Sequence, residues 1–102
     1  MTLPSQLEAI HKIVGILERN KVDYMLIGGW ALPAYGHVRS TMDVDLAIAI
    51  KESEKLTRLV SELHANNYQI PCNPSLKDRV FQMLDKDNMV EIELWQKPDG
   101  IN

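Results

Sequence analysis

The chain has 102 residues, of which 45% are hydrophobic, and this length and composition fit one ordinary globular domain with a single core. A net charge of −3 and a pI of about 5.5 argue against a dedicated nucleic-acid-binding surface, which normally carries a basic face. They leave open an enzyme that meets RNA or DNA through another subunit. Cys72 is the single cysteine of the sequence, so no internal disulfide can form, and a reducing, cytoplasmic location is expected.

No segment of the sequence predicts that the protein binds or crosses a membrane. The longest apolar runs are far too short to cross a bilayer, and residues 1–5 lack the basic and apolar pattern of a signal peptide. Residues 1–102 are therefore expected to form one domain. Residues 98–102 have the composition of a turn, so the C-terminus is either a natural stop or a truncation. The small size suggests a homo-oligomer or a partner subunit.

Helices and strands alternate in the first part of the chain. Apolar residues at helical spacing predict a first helix over residues 5–20, and a short buried strand is expected over residues 23–27. A second, short helix is expected to begin at Gly28 or Gly29 and to end near Tyr35. Glycine before this helix marks the change from extended to helical backbone.

The remaining elements follow a polar loop over residues 37–42. Alternating apolar residues predict a strand over residues 43–50, and a helix is expected over residues 53–66 with Ser53 as its N-cap. Further strands are predicted at residues 68–70, 79–84 and 89–95. This order predicts an α+β fold, in which helices pack on a mixed sheet.

Asp43-Val44-Asp45 places two carboxylates two residues apart in a predicted strand. Residues i and i+2 of a strand project from the same face, so the two carboxylates share one side of the sheet. They repel each other unless a cation lies between them. Mg²⁺ prefers such hard oxygen ligands and usually binds one or two carboxylates together with substrate phosphates. The pair alone is also compatible with a solvated strand edge, although aspartate is depleted in strands.

Glu91 and Glu93 form a second alternating pair in the last predicted strand. If this strand lies beside the strand of Asp43 and Asp45, a third carboxylate meets the aspartate pair. Three converging carboxylates can hold two metal ions about 3.5–4 Å apart, the arrangement used for in-line displacement at phosphorus. The alternative for either glutamate is the exposed face of an edge strand.

Gly28-Gly29 begins fifteen residues before Asp43, directly after the apolar run 24–27. A strand that leads through two glycines into a helix presents backbone N–H groups, and phosphate binds at such a helix start. Two glycines alone occur in many turns. Followed by Asp-x-Asp, they predict a phosphate-binding loop beside a carboxylate-held metal.

The order of these motifs resembles that of the nucleotidyltransferase superfamily of DNA polymerase beta. The matching segments are Ile27-Gly28-Gly29-Trp30, Asp43-Val44-Asp45-Leu46 and Ile92-Glu93-Leu94, and together they span most of the chain. The Gly-Gly-Trp form is similar to small antibiotic nucleotidyltransferases. The run 35–43 is similar to minimal and toxin-type members, in which Arg-x-Thr often precedes the first aspartate, as Arg39 and Thr41 do here.

The resemblance implies a nucleotidyltransferase fold and a metal-dependent transfer of a nucleoside monophosphate from a triphosphate such as ATP to a hydroxyl acceptor. It implicates Gly28, Gly29, Arg39 and Thr41 in nucleotide binding, and Asp43, Asp45 and Glu93, with Glu91 as the alternative third carboxylate, in binding two Mg²⁺ ions. Two positions depart from the pattern. Gly29 stands where many members carry serine, and the third carboxylate, often aspartate, is here glutamate.

Two other functions fit parts of the pattern. A non-catalytic nucleotide-binding or antitoxin-like partner module could use the same fold, because fold does not determine function. A Mg²⁺-dependent phosphohydrolase would use similar ligands, although the order of glycines and aspartates argues against it. The retained carboxylates favour an enzyme over a non-catalytic module. The sequence gives no indication of the acceptor or of the nucleobase.

Overall fold

The structure, a computed structural model, describes residues 4–27, 43–71 and 73–97. Its elements in chain order are helix α1 (Pro4–Arg19), strands β1 (Asp23–Ile27) and β2 (Asp43–Ala49), helix α2 (Ser53–Ala65), and strands β3 (Tyr68–Gln69), β4 (Val80–Asp85) and β5 (Val90–Gln96). These bounds agree closely with the predicted elements. The short helix predicted after Gly28 and the polar loop over residues 37–42 lie outside the described residues.

The five strands form one sheet in the order β1-β2-β5-β4-β3. The central strands β2 and β5 are parallel, and each of the other neighbouring pairs is antiparallel. A parallel pair cannot be joined by a tight turn, and here the chain returns from β2 to β5 through α2 and the strands that follow it. The predicted α+β class, with helices packed on a mixed sheet, is confirmed.

Helices α1 and α2 cover one face of this sheet and form the core with it. The alternation in β2 turns Val44, Leu46 and Ile48 toward the helices, where each is at most 3% exposed. Because side chains alternate along a strand, Asp45 belongs to the opposite face. The acidic face of the sheet is therefore the face that the helices do not cover.

Polar contacts attach the two helices to each other and to the sheet. Arg19 of α1 donates hydrogen bonds to Glu62 of α2, one of them from Nε at 2.8 Å. Lys12 of α1 donates from Nζ to Asp85 at the end of β4, over 2.7 Å. Both contacts join residues that are far apart in the chain, so they hold elements that local structure alone would not bring together.

Two sequence predictions about local structure are wrong. Strand β1 lies at the edge of the sheet and not in its interior, and Met25 in its centre is 41% exposed. An apolar run shows that a strand forms but not which position it takes in the sheet. The N-cap of α2 is Glu52, not Ser53, and no side-chain hydrogen bond caps this helix. Neither described helix is long and apolar enough to cross a membrane.

Candidate functional site

The register of β2 and β5 brings acidic residues of two distant segments side by side. Asp45 lies opposite Glu93, and Asp43 lies opposite Glu91. Neighbouring strands are about 4.8 Å apart, and residues in lateral register project from the same face of the sheet. Asp45 and Glu93 are therefore adjacent on the face opposite to the helices, as a converging carboxylate site requires.

Asp45 is the buried member of this group. It lies in the middle of a central strand and is 5% exposed. Burial of a carboxylate is costly unless its charge is compensated. Asp43 begins the same strand, and its backbone pairs with Glu91. The side chain of Asp43 lies outside the described part of the structure.

Glu93 is half-buried and is positioned from the other side by β4. Gln82, its partner in the antiparallel register, donates a hydrogen bond from Nε2 to Glu93 Oε2 over 2.9 Å. The amide is neutral, so it orients the carboxylate without compensating its charge. Glu91 is exposed. No ion pair between described residues uses Glu91 or Glu93.

Gln82 is a site residue that the sequence analysis missed. The signal lies in the hairpin, because the turn between β4 and β5 pairs Asp85 with Val90. Counting three residues outward from that pair along each strand places Gln82 opposite Glu93. The strands predicted at residues 79–84 and 89–95 pair Leu84 with Met89 instead, and this register places Gln82 opposite Glu91 and not opposite Glu93.

Several predicted site residues cannot be placed. Gly28, Gly29, Arg39 and Thr41 lie outside the described residues. Among the residues that are described, no three His, Cys, Asp or Glu side chains lie close enough together to hold a metal ion. Because the side chain of Asp43 is not among them, the predicted metal ligands stay a prediction.

The arrangement of helices and strands is similar to that of a solved structure, the polymerase core of TRAMP, an RNA surveillance complex. The TM-score is 0.54 and the sequence identity is 16%, over 99% of this chain and 35% of the other. The fold is nucleotidyltransferase-like. At this identity the similarity shows the fold alone, and this chain spans about a third of the length of the polymerase chain. No protein-family model and no curated protein matches the sequence.

Proposed function

We propose that the protein is a Mg²⁺-dependent nucleotidyltransferase that transfers a nucleoside monophosphate from a nucleoside triphosphate to a hydroxyl acceptor. The observation that supports this most strongly is the lateral pairing of Asp45 with Glu93 across two parallel central strands. These carboxylates come from segments nearly fifty residues apart, and they meet on a nucleotidyltransferase-like sheet. The similar solved structure is a polymerase core, and the reaction of a polymerase is a nucleotidyl transfer.

The donor set fits a hard divalent cation. Like charges in adjacent register destabilise each other, and a cation between them removes this cost. Asp43, Asp45 and Glu93 would hold Mg²⁺, with Glu91 as the alternative third carboxylate; all of them offer the oxygen ligands that Mg²⁺ requires. When bound, Mg²⁺ neutralises charge on the triphosphate and lowers the pKa of an acceptor hydroxyl.

The other residues of the proposed site bind and orient the substrates. Gly28 and Gly29 let backbone N–H groups approach the phosphates without steric hindrance from a Cβ, and Arg39 and Thr41 would contact the triphosphate. Gln82 donates a hydrogen bond to the Glu93 carboxylate and would help to orient it. A fixed carboxylate helps because misplacement by about 1 Å can cost about a hundredfold in rate.

The reaction is an in-line displacement at phosphorus. The acceptor oxygen forms a bond to the α-phosphorus, the bond from the α-phosphorus to the bridging oxygen breaks, and pyrophosphate leaves with that electron pair. The hydroxyl proton passes to a carboxylate oxygen of Glu93 or to water. Loss of the Asp45 charge should lower the rate by about a thousandfold, which corresponds to about 4 kcal/mol of transition-state stabilisation.

The test is transfer of label from α-³²P nucleoside triphosphates, followed together with pyrophosphate release, with oligonucleotide, aminoglycoside and protein acceptors. Asp45→Asn should lower the rate of transfer by about a thousandfold and leave the fold intact. Asp23→Asn is the matched control, because this exposed aspartate lies on the same sheet face, opposite Ala49 at the far end of β2. Its activity should equal that of the wild type.

The other outcomes separate the alternatives. Triphosphate binding without turnover on any acceptor would support a non-catalytic nucleotide-binding or antitoxin-like module. Release of orthophosphate would support a phosphohydrolase. Equal activity of Asp45→Asn and the wild type would refute the proposed site.

A further inference from the structure

A cavity of about 550 Å³ opens where β5 ends and β4 begins. Three cations line it, Lys77, Arg79 and Lys97, together with the indole of Trp95. We call these four residues the Trp95 pocket. Backbone pairing fixes this corner of the sheet, because the N–H of Gln96 donates to the carbonyl of Arg79 over 2.8 Å.

The charge of the Trp95 pocket is opposite to that of the chain. The whole chain carries −3, whereas three cations and one carboxylate, Asp78, line this cavity. Asp78 accepts a hydrogen bond from the backbone N–H of Ser75 over 2.9 Å. None of the three cations forms an ion pair with another described residue. A chain with a negative net charge therefore carries a local basic site, whose charges are available to an anion.

Trp95 connects this basic site to the carboxylates. It follows Glu93 by two residues on β5, so the two side chains project from the same face with Cα atoms about 7 Å apart. Trp95 is 40% exposed. A large aromatic ring left partly in water beside cations is the combination that binds single-stranded nucleic acid, in which bases stack on the ring and phosphates contact the cations.

We propose that the Trp95 pocket binds the end of a single-stranded nucleic acid, which is the acceptor of the transfer. The terminal base stacks on Trp95, and the phosphates contact Lys77, Arg79 and Lys97. The terminal hydroxyl then lies toward Glu93. Binding stands on the pocket alone, and the role as acceptor rests on the proposed function. A duplex would fit less well, because its paired bases cannot offer a face to the indole.

The test is fluorescence anisotropy with a labelled oligoadenylate of about twelve nucleotides, in the absence of Mg²⁺ and triphosphate. Arg79→Gln/Lys97→Gln should weaken binding at least tenfold. The matched control is Arg58→Gln/Lys86→Gln, which removes the same charge from exposed positions on α2 and in the distant hairpin turn. It should change the dissociation constant less than twofold.

Stacking and salt dependence give two further readouts. Trp95→Ala should weaken binding by about five- to hundredfold, whereas Trp95→Phe should retain most of the affinity because phenylalanine still offers an aromatic face. Three phosphate contacts predict a salt slope of about −2, and loss of two cations should reduce it by about 1.4. The thermal melts of the variants check that each is folded.

Equal weakening by the pocket and control variants would overturn the proposal, since bulk charge would then explain binding. Equal affinity for a duplex, or full competition by polyglutamate of the same charge, would also overturn it. The two proposals fail separately. Binding that persists in Asp45→Asn without transfer by the wild type would refute only the proposed function. Transfer to another acceptor without oligonucleotide binding would refute only the pocket.

Discussion

Lys12 of α1 and Asp85 at the end of β4 form a buried contact. Removal of the Asp85 charge should therefore cause a large loss of stability. Asp85 is fully buried and accepts hydrogen bonds from Lys12 Nζ over 2.7 Å, from the backbone N–H of Asp87 over 3.1 Å and from Asn88 Nδ2 over 2.8 Å. The Lys12 ammonium lies 4.5 Å from the centre of the Tyr68 ring. Asp85→Asn keeps the shape of the side chain and removes its charge.

The expected cost follows from these contacts. Removal of one partner of a buried ion pair typically costs about 3–5 kcal/mol. The lower end applies here, because Lys12 keeps a second carboxylate, Asp87, at 2.9 Å. A loss of about 3 kcal/mol corresponds to a fall of about 12–24 °C in the melting temperature of a domain of this size. That is a large part of the usual stability of about 5–15 kcal/mol.

The assay is urea unfolding followed by far-UV circular dichroism, arranged as a double-mutant cycle with Lys12→Met and Asp85→Asn. The coupling free energy should be about 1.5–3 kcal/mol, the value for hydrogen bonds to charged groups. Lys86→Met, in the exposed turn, should change stability by less than about 0.5 kcal/mol. A coupling energy near zero, or an Asp85→Asn variant as stable as the wild type, would refute the reasoning.

The hydrogen bond from Arg19 lowers the pKa of the Glu62 carboxyl below its ordinary value of 4.5. The contact between Glu62 and Arg19 therefore stabilises the fold above that pH, and this stabilisation is lost as the pH falls through the pKa of Glu62 in the folded state. Thermal melts should show that Glu62→Gln loses less stability than the wild type between pH 7 and pH 3, and parallel curves would contradict this. Ile48→Ala removes a fully buried side chain and should cost about 2–5 kcal/mol in urea unfolding; a cost below 1 kcal/mol would show that the core is not packed as described. Gln82→Ala should lower the rate of nucleotidyl transfer by about ten- to hundredfold with little effect on the melting temperature, because Glu93 loses its orienting amide, and an unchanged rate would remove Gln82 from the site.

Local structure was predictable from the sequence because periodicity reports which face of an element is buried. The helix over residues 53–66 and the strand over residues 43–50 follow from apolar spacing alone. The position of β1 at the sheet edge was not predictable, because the apolar run Tyr24-Met25-Leu26-Ile27 is compatible with an edge strand and with an interior strand. Strand order depends on which faces meet in three dimensions, and periodicity in one segment carries no such information.

The candidate site was predictable in part for the same reason. The alternation in residues 43–45 and 91–93 assigns each carboxylate to one face of its strand, so adjacency of the strands was enough to bring Asp45 and Glu93 together. Gln82 was missed because its role depends on the register of a hairpin. The Trp95 pocket was missed because its cations lie in separate segments, and an average over the whole chain hides them.

Binding of a divalent metal by Asp45 and Glu93 in the presence of a triphosphate is the central claim, and Mn²⁺ can report it directly by electron paramagnetic resonance. The protein is titrated with Mn²⁺ and a non-hydrolysable triphosphate analogue, and the wild type is compared with Asp45→Asn, Glu93→Gln and the control Asp23→Asn. We expect Asp45→Asn and Glu93→Gln to weaken binding of the Mn²⁺–nucleotide at least tenfold and Asp23→Asn to leave it unchanged. Wild-type affinity in both Asp45→Asn and Glu93→Gln would contradict the account.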